Sequence, residues 1–239
     1  MIKVYEATDV GRVRPVNEDS ETVFEPCVCV VADGMGGAAA GEVASQILIK
    51  TARERLYEET SITEQDLAET IRAANAEILE NARLYPERKG MGTTATLLHI
   101  SEARGQAYWA HVGDSRLYCL RGGTLKQITR DHSYVEDLVE NGTITEEEAR
   151  VHPQKNVLTR AVGVLPEVEV DTGAFPVKDR DIFLLATDGL MKMMEDREIA
   201  DWLVTKRGSG ENLAQLLINR ALNVGGVDNV TAIVVVYAS

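Results

Sequence analysis

The sequence predicts an α+β fold: a four-layer α-β-β-α sandwich of two mainly antiparallel sheets flanked by helix pairs. The prediction rests on the kind, grouping and order of its segments. Short apolar, β-rich runs recur between turn residues, as buried strands do. Helical spacing is confined to one early pair and one late pair of stretches. The order is strands, two helices, many strands, two helices, one strand, not the alternation of a parallel βαβ sheet. Two sheets packed face to face, with the helix pairs outside, bury all of these runs.

Residues 2–9 and roughly 20–32 read as strands. From Glu42 to Tyr57, the residues Val43, Ala44, Ile47, Leu48, Ala52 and Leu56 follow helical spacing. A second helix spans Glu64 to Tyr85, with Leu67, Ile71, Ala74, Ile78 and Ala82 on one face. Ser61 and Glu64 stand at capping-box spacing before it, and Pro86 follows its end. From Thr93 to Ile128 the pattern is β-rich. Gly113-Asp114-Ser115 and Arg121-Gly122-Gly123 read as turns in a meander of hairpins. Residues 133–156 are polar and broken, a short helical excursion on the surface. Strands return near 167–173 and 181–186, helices follow near 195–205 and 211–223, and a strand over 230–237 closes the order.

With 239 residues and no low-complexity segment, repeat or linker, residues 1–239 are expected to form a single domain. Hydrophobic residues at 44% and charged residues at 26% fit a soluble globular protein. No apolar run approaches bilayer length and no charged-then-apolar leader opens the chain, so a cytoplasmic location and a monomer are expected. The odd count of 3 cysteines argues against a disulfide framework. Cys27 and Cys29 are expected on one face of one strand, packed in the core. A net charge of −13 disfavours nucleic acid and anionic membranes as partners, because binding to either relies on Lys and Arg. Glu146-Glu147-Glu148 reads as solvated helix surface.

The chemistry lies at the strand edges. Asp33-Gly34 ends the run Cys27–Ala32, Thr187-Asp188-Gly189 ends Ile182–Ala186, and Asp228-Asn229 opens Val230–Tyr237. If these strands are neighbours, the third must run antiparallel for the carboxylates to meet. Converging carboxylates, with a backbone carbonyl exposed at glycine, suit Mg²⁺ or Mn²⁺. Asp19 in Asn17-Glu18-Asp19, and Asp114, are further acidic candidates. No His/Cys cluster has zinc spacing, and no P-loop is present. Arg14 lies three residues before Asn17 and can hold a phosphate bidentately. Metals beside an arginine point to phosphoryl hydrolysis by a metal-bridging water acidified to hydroxide. Turn aspartates and a surface arginine are the competing reading of the same residues.

The motifs carry a resemblance along nearly the whole chain. They are Arg14-Pro15-Val16-Asn17-Glu18-Asp19, Asp33-Gly34-Met35-Gly36-Gly37, Gly41–Ser45, Gly92-Thr93-Thr94, His111–Arg116, Thr129–Ser133, Leu158–Gly163, Thr187–Leu190 and Asp228–Thr231. In this order the chain resembles a type 2C metal-dependent Ser/Thr protein phosphatase in its compact bacterial form. The resemblance implies hydrolysis of phosphoserine and phosphothreonine monoesters in proteins, with two Mn²⁺ or Mg²⁺ ions. It makes Asp33 the bridge between the metals and the Gly34 carbonyl a ligand. Asp188 and Asp228 complete the first metal's shell, Asp19 holds the second largely through water, and Arg14 holds the substrate phosphate. A third metal, often bound by bacterial members, maps to Asp114 and Asp188. Residues 133–156 match the family's flap, and phosphorylated proteins and a Ser/Thr kinase become the implied partners.

The chain departs from the family at the leaving-group acid. Met35 and Ala38 stand where relatives carry a histidine. A metal-bound water or His132 is left for that role. A catalytically silent phosphoprotein-binding module on the same fold is the alternative function, and the intact acidic set argues against it.

Overall fold

The computed structural model describes residues 1–36 and 40–238. Ala38, one of the two departures noted above, therefore lies outside the described residues. One sheet has the order β1 (Ile2–Asp9), β11 (Val230–Tyr237), β10 (Ile182–Ala186), β7 (Arg116–Arg121), β8 (Thr124–Gln127). The other has the order β2 (Asp19–Phe24), β3 (Val28–Met35), β5 (Ala95–Ser101), β6 (Gln106–Val112), β9 (Asp171–Pro176), with β4 (Gly92–Thr93) paired to β3. The pairings between described strands are antiparallel.

The period-2 alternation of strand side chains divides the apolar residues into layers. From β3, Val28, Val30 and Ala32 meet α1 (Ala40–Leu56) and α2 (Glu64–Leu84) through Ala44, Leu48, Leu67 and Ile71. Its intervening residues Cys29 and Val31 face the other sheet and pack with Leu117, Phe183, Leu185, Ile233 and Val235. On the far side, Leu184, Ala232 and Val234 meet α6 (Asp196–Lys206) and α7 (Leu213–Val224) through Ile199, Leu203, Leu217 and Ile218. The result is the four-layer sandwich expected.

Several boundaries differ from expectation. The capping box of α2 is built by Thr63 and Asp66, not Ser61 and Glu64: the Thr63 backbone N–H donates to Asp66 Oδ2 at 2.8 Å. Cys27 precedes β3 with φ 63°, so it lies outside the strand, although it still packs beside Cys29. Asp33-Gly34 does not end β3; the strand continues to Met35 because Gly34 and Met35 pair with β4. Gly113-Asp114-Ser115 is not a hairpin turn. It carries the chain from β6 in one sheet to β7 in the other. The strand expected near 167–173 is β9, shifted to Asp171–Pro176; Val168 and Val170 instead pack against the α1–α2 core without joining the ladder. The polar excursion contains α3 (Tyr134–Glu140) and α4 (Glu146–Val151), whose first turn exposes Glu146, Glu147 and Glu148. Among the described residues, no helix is long and apolar enough to cross a membrane.

Candidate active site

The alternation that fills the inter-sheet core also builds its polar mouth. Continuing from Cys29 and Val31, Asp33 is the next residue on that face of β3; Thr187 continues Phe183 and Leu185, and Thr231 precedes Ile233 and Val235. β10 and β11 are antiparallel neighbours, so Asp188 after one and Asp228 before the other come to the same edge, as expected. β3 belongs to the opposite sheet, and Asp33 approaches across the sandwich. Asp19 lies opposite Asp33 in the β2–β3 register.

Asp19 is buried. Its Oδ2 accepts from Thr187 Oγ1 and Thr231 Oγ1, each at 2.7 Å, while its Oδ1 is buried with no hydrogen-bond partner among the described residues. Asp33 is fixed through its backbone: its N–H donates to Thr94 Oγ1 at 2.9 Å, and its carbonyl accepts from Thr93 Oγ1 at 3.0 Å and Thr94 N–H at 2.9 Å. This gives Gly92-Thr93-Thr94 a definite role in the site. Asn229 ties the neighbouring loop down, accepting from Glu18 N–H and donating to the carbonyls of Val10 and Val16.

Gly34 is required by close approach. A Cβ there would stand 2.2 Å from the Gly41 carbonyl oxygen and 2.5 Å from that of Glu18. Arg14 pairs with Asp228 through Nε at 2.8 Å and Nη2 at 3.1 Å. Arg14, Glu18, Asp33, Gly34, Met35, Asp114, Asp188 and Asp228 line one cleft of ≈ 660 Å³, so the structure brings the predicted residues together, with Asp19 buried close by.

Sequence reasoning missed Lys192. It sits one turn after Asp188, at the end of α5 (Asp188–Met191). Its Nζ contacts Asp188 Oδ2 at 2.6 Å and Asp228 Oδ2 at 2.7 Å. The available signal was the i,i+4 Asp–Lys spacing, which is too common to single out a residue.

Electrostatics follow from crowding. Burial, then the charges of Asp19, Asp188 and Asp114, push the Asp33 carboxyl well above the usual carboxylate range. Burial raises Asp19 and Asp114 to about 7, with Asp188 adding to both. Asp188 is also raised by burial, against the pull of Lys192. Asp228 is held below the usual range, because Lys192 and Arg14 outweigh its burial. The donors are all oxygens, one is an unpartnered buried carboxylate oxygen, and an ammonium already stands between two of the carboxylates. This set fits a hard divalent cation.

His132 is buried: its Nδ1 accepts from Gly113 N–H, its Nε2 pairs with Asp171, and it is not among the residues lining the cleft. This removes it from direct proton transfer. Met35 does line the cleft but has no proton to give.

A profile of the protein phosphatase 2C family matches residues 18–230. The chain belongs to the protein phosphatase 2C family. It is 41% identical over 237 residues to the serine/threonine phosphatase stp of Listeria welshimeri, covering 95% of this chain and 93% of the relative. Its fold matches the serine/threonine phosphatase Stp1 of Staphylococcus aureus with a TM-score of 0.93 at 36% identity, over 100% of this chain and 96% of that one. It also matches the catalytic domain of the serine/threonine protein phosphatase PstP, solved with 2 manganese ions, with a TM-score of 0.88 at 35% identity over 100% and 99% of the two chains. The phosphatase 2C chain described here is a metal-dependent protein serine/threonine phosphatase acting on phosphoproteins.

Proposed function

We propose that the cleft hydrolyses phosphoserine and phosphothreonine monoesters with two Mn²⁺ or Mg²⁺ ions held by Asp19, Asp33, the Gly34 carbonyl, Asp188 and Asp228, with Asp114 available to a third. The observation that carries this assignment is the buried, mutually repelling carboxylate set opening on the same cleft as Arg14. Such a set is stable when ionised only beside cations. When bound, the ions acidify a coordinated water and offset charge on the phosphate.

This chain's own residues do the rest. Asp33 is held by Thr93 and Thr94 so that its carboxylate meets the cleft from β3. Thr187 and Thr231 hold one oxygen of Asp19 and leave the other for a ligand. Arg14 keeps its bidentate grip on Asp228 while Nη1 takes a phosphate oxygen. The Glu18 carboxyl is raised by burial and lines the same cleft.

The proposal extends to residues 1–239 as a single catalytic domain, with residues 133–156 as a flap beside the cleft. The protein is placed in the cytoplasm as a monomer, opposing a Ser/Thr kinase on shared targets. The test is hydrolysis of p-nitrophenyl phosphate and of a phosphothreonine peptide, with and without Mn²⁺, by wild type, Asp33→Ala and Asp188→Ala. Full activity in either variant, or turnover that ignores metal, would overturn the assignment. Tight phosphopeptide binding with no turnover at saturating Mn²⁺ would favour the silent-module alternative.

A further inference from the structure

Lys192 carries the same sign of charge as a metal ion and contacts two of the proposed metal ligands. Its ammonium lies 2.6 Å from Asp188 Oδ2 and 2.7 Å from Asp228 Oδ2. The three side chains are only 23%, 19% and 15% exposed, so solvent screens these contacts weakly. Among the described residues, no three His, Cys, Asp or Glu side chains are drawn into a single metal shell. Asp188 and Asp228 are arranged around an ammonium instead.

The placement has a local cause. Asp188 opens α5, and the Lys192 N–H donates to the Asp188 carbonyl at 2.8 Å. This helical turn sets the two side chains on one face, with the acid N-terminal to the base, the favoured order for such a pair. Asp228 reaches the same ammonium because β11 starts beside the end of β10.

A divalent ion makes a different demand. Mg²⁺ holds carboxylate oxygens at about 2.0–2.1 Å, and Mn²⁺ favours the same kind of oxygen shell. An ammonium bonded to both oxygens occupies the space the ion needs, and it repels the ion's charge. Both cannot hold Asp188 Oδ2 and Asp228 Oδ2 at once.

We infer that Lys192 is a resident cation that competes with divalent metal for Asp188 and Asp228, and so sets the metal concentration at which the centre loads. This rests on the proposed metal centre and deepens it. Without metal the lysine neutralises the two acids and keeps the mouth folded. With metal it swings out along its flexible stem. Loading therefore begins with loss of an ion pair, which a centre lacking the lysine would not need to break.

The test is isothermal titration of Mn²⁺ into metal-stripped wild type, Lys192→Met, Lys192→Gln and Lys192→Arg, with melting temperatures in EDTA and in saturating Mn²⁺. The neutral variants are expected to bind Mn²⁺ about tenfold more tightly, as a short like-charge contact is removed. Arg, which keeps the charge, should stay near wild type. The neutral variants should also melt lower in EDTA and gain more on adding Mn²⁺. A merely structural lysine would lower both melting temperatures alike and leave the Mn²⁺ Kd unmoved. That result, or weaker binding in both neutral variants, would overturn the inference while leaving the metal centre intact. Absence of Mn²⁺ binding in wild type would overturn the metal centre itself and the inference with it.

Discussion

Replacing Gly34 with alanine tests the packing that presents Asp33 to the cleft. The added Cβ would stand 2.2 Å from the Gly41 carbonyl oxygen, 2.5 Å from the Gly41 carbonyl carbon and 2.5 Å from the Glu18 carbonyl oxygen. All three atoms are backbone, so no rotamer change relieves the clash. Gly41 belongs to the start of α1, and Glu18 O accepts from Gly34 N–H at 3.1 Å. Relief requires β3 or α1 to move by about 1 Å, and overpacking of this kind costs ~3 kcal/mol. For a chain of this length that is a fall of roughly 6–12 °C in melting temperature. Because Asp33 is the adjacent residue, the same movement shifts its carboxylate, and a ~1 Å misplacement near reacting atoms costs about 100-fold in rate. The assay is thermal unfolding with Mn²⁺-dependent phosphopeptide hydrolysis. Gly208→Ala serves as control, since a Cβ there meets nothing within 4 Å. A Gly34→Ala protein that melts within 1 °C of wild type and turns over normally would refute the reasoning.

Other outcomes follow from the same mouth. Mn²⁺ at about 100 times its Kd should stabilise the fold by ~2.7 kcal/mol, so stripping it with EDTA should lower the melting temperature; no change would count against a loaded centre. In EDTA, stability should fall as pH rises from about 4 to about 7. Asp19 and Asp114 at about 7, and Asp33 raised in the same direction, have folded values above their unfolded ones, so their contribution is present at low pH and is lost as pH climbs through the folded values. His111, lowered to about 3 by burial and His132, works the other way over the same range, but it is one proton against those of several carboxyls and does not reverse the trend. A melting temperature that rises between pH 5 and 7 would contradict this. Thr187→Val removes a donor to buried Asp19 and the acceptor for Thr231 N–H, and should cost about 1–3 kcal/mol by urea denaturation; a loss under 0.5 kcal/mol would show that the network matters little.

Much of this was legible in the sequence because strand period and helix period differ so plainly here. β1, β10, β11 and both helix pairs fell near their observed places, and the motif aspartates converged. What escaped has physical reasons. A chain can leave one sheet and enter the next without breaking its alternation, so Gly113-Asp114-Ser115 read as a hairpin when it is a crossing between layers. Val168 and Val170 show strand-like spacing yet pack against helices, because the α1–α2 core offers them a surface before the β6 ladder does. Lys192 was invisible because its meaning depends on Asp228, which comes from a different strand. Thr187 and Thr231 converge on Asp19 only once two sheets close over it.

The pairing of β1 with β11 has a practical consequence. Ile2 lies opposite Tyr237 at one end of that ladder, and Asp9 lies opposite Val230 at the other, beside the acidic mouth. Seven residue steps at about 3.3 Å put Ile2 and Tyr237 ~23 Å from the catalytic edge. A fluorophore or a surface linker attached beside Ile2 or Tyr237 would sit at the rear of the sandwich. The protein can thus be tethered from that patch with its cleft facing outward, and probes beside either residue would report on the same small area of surface.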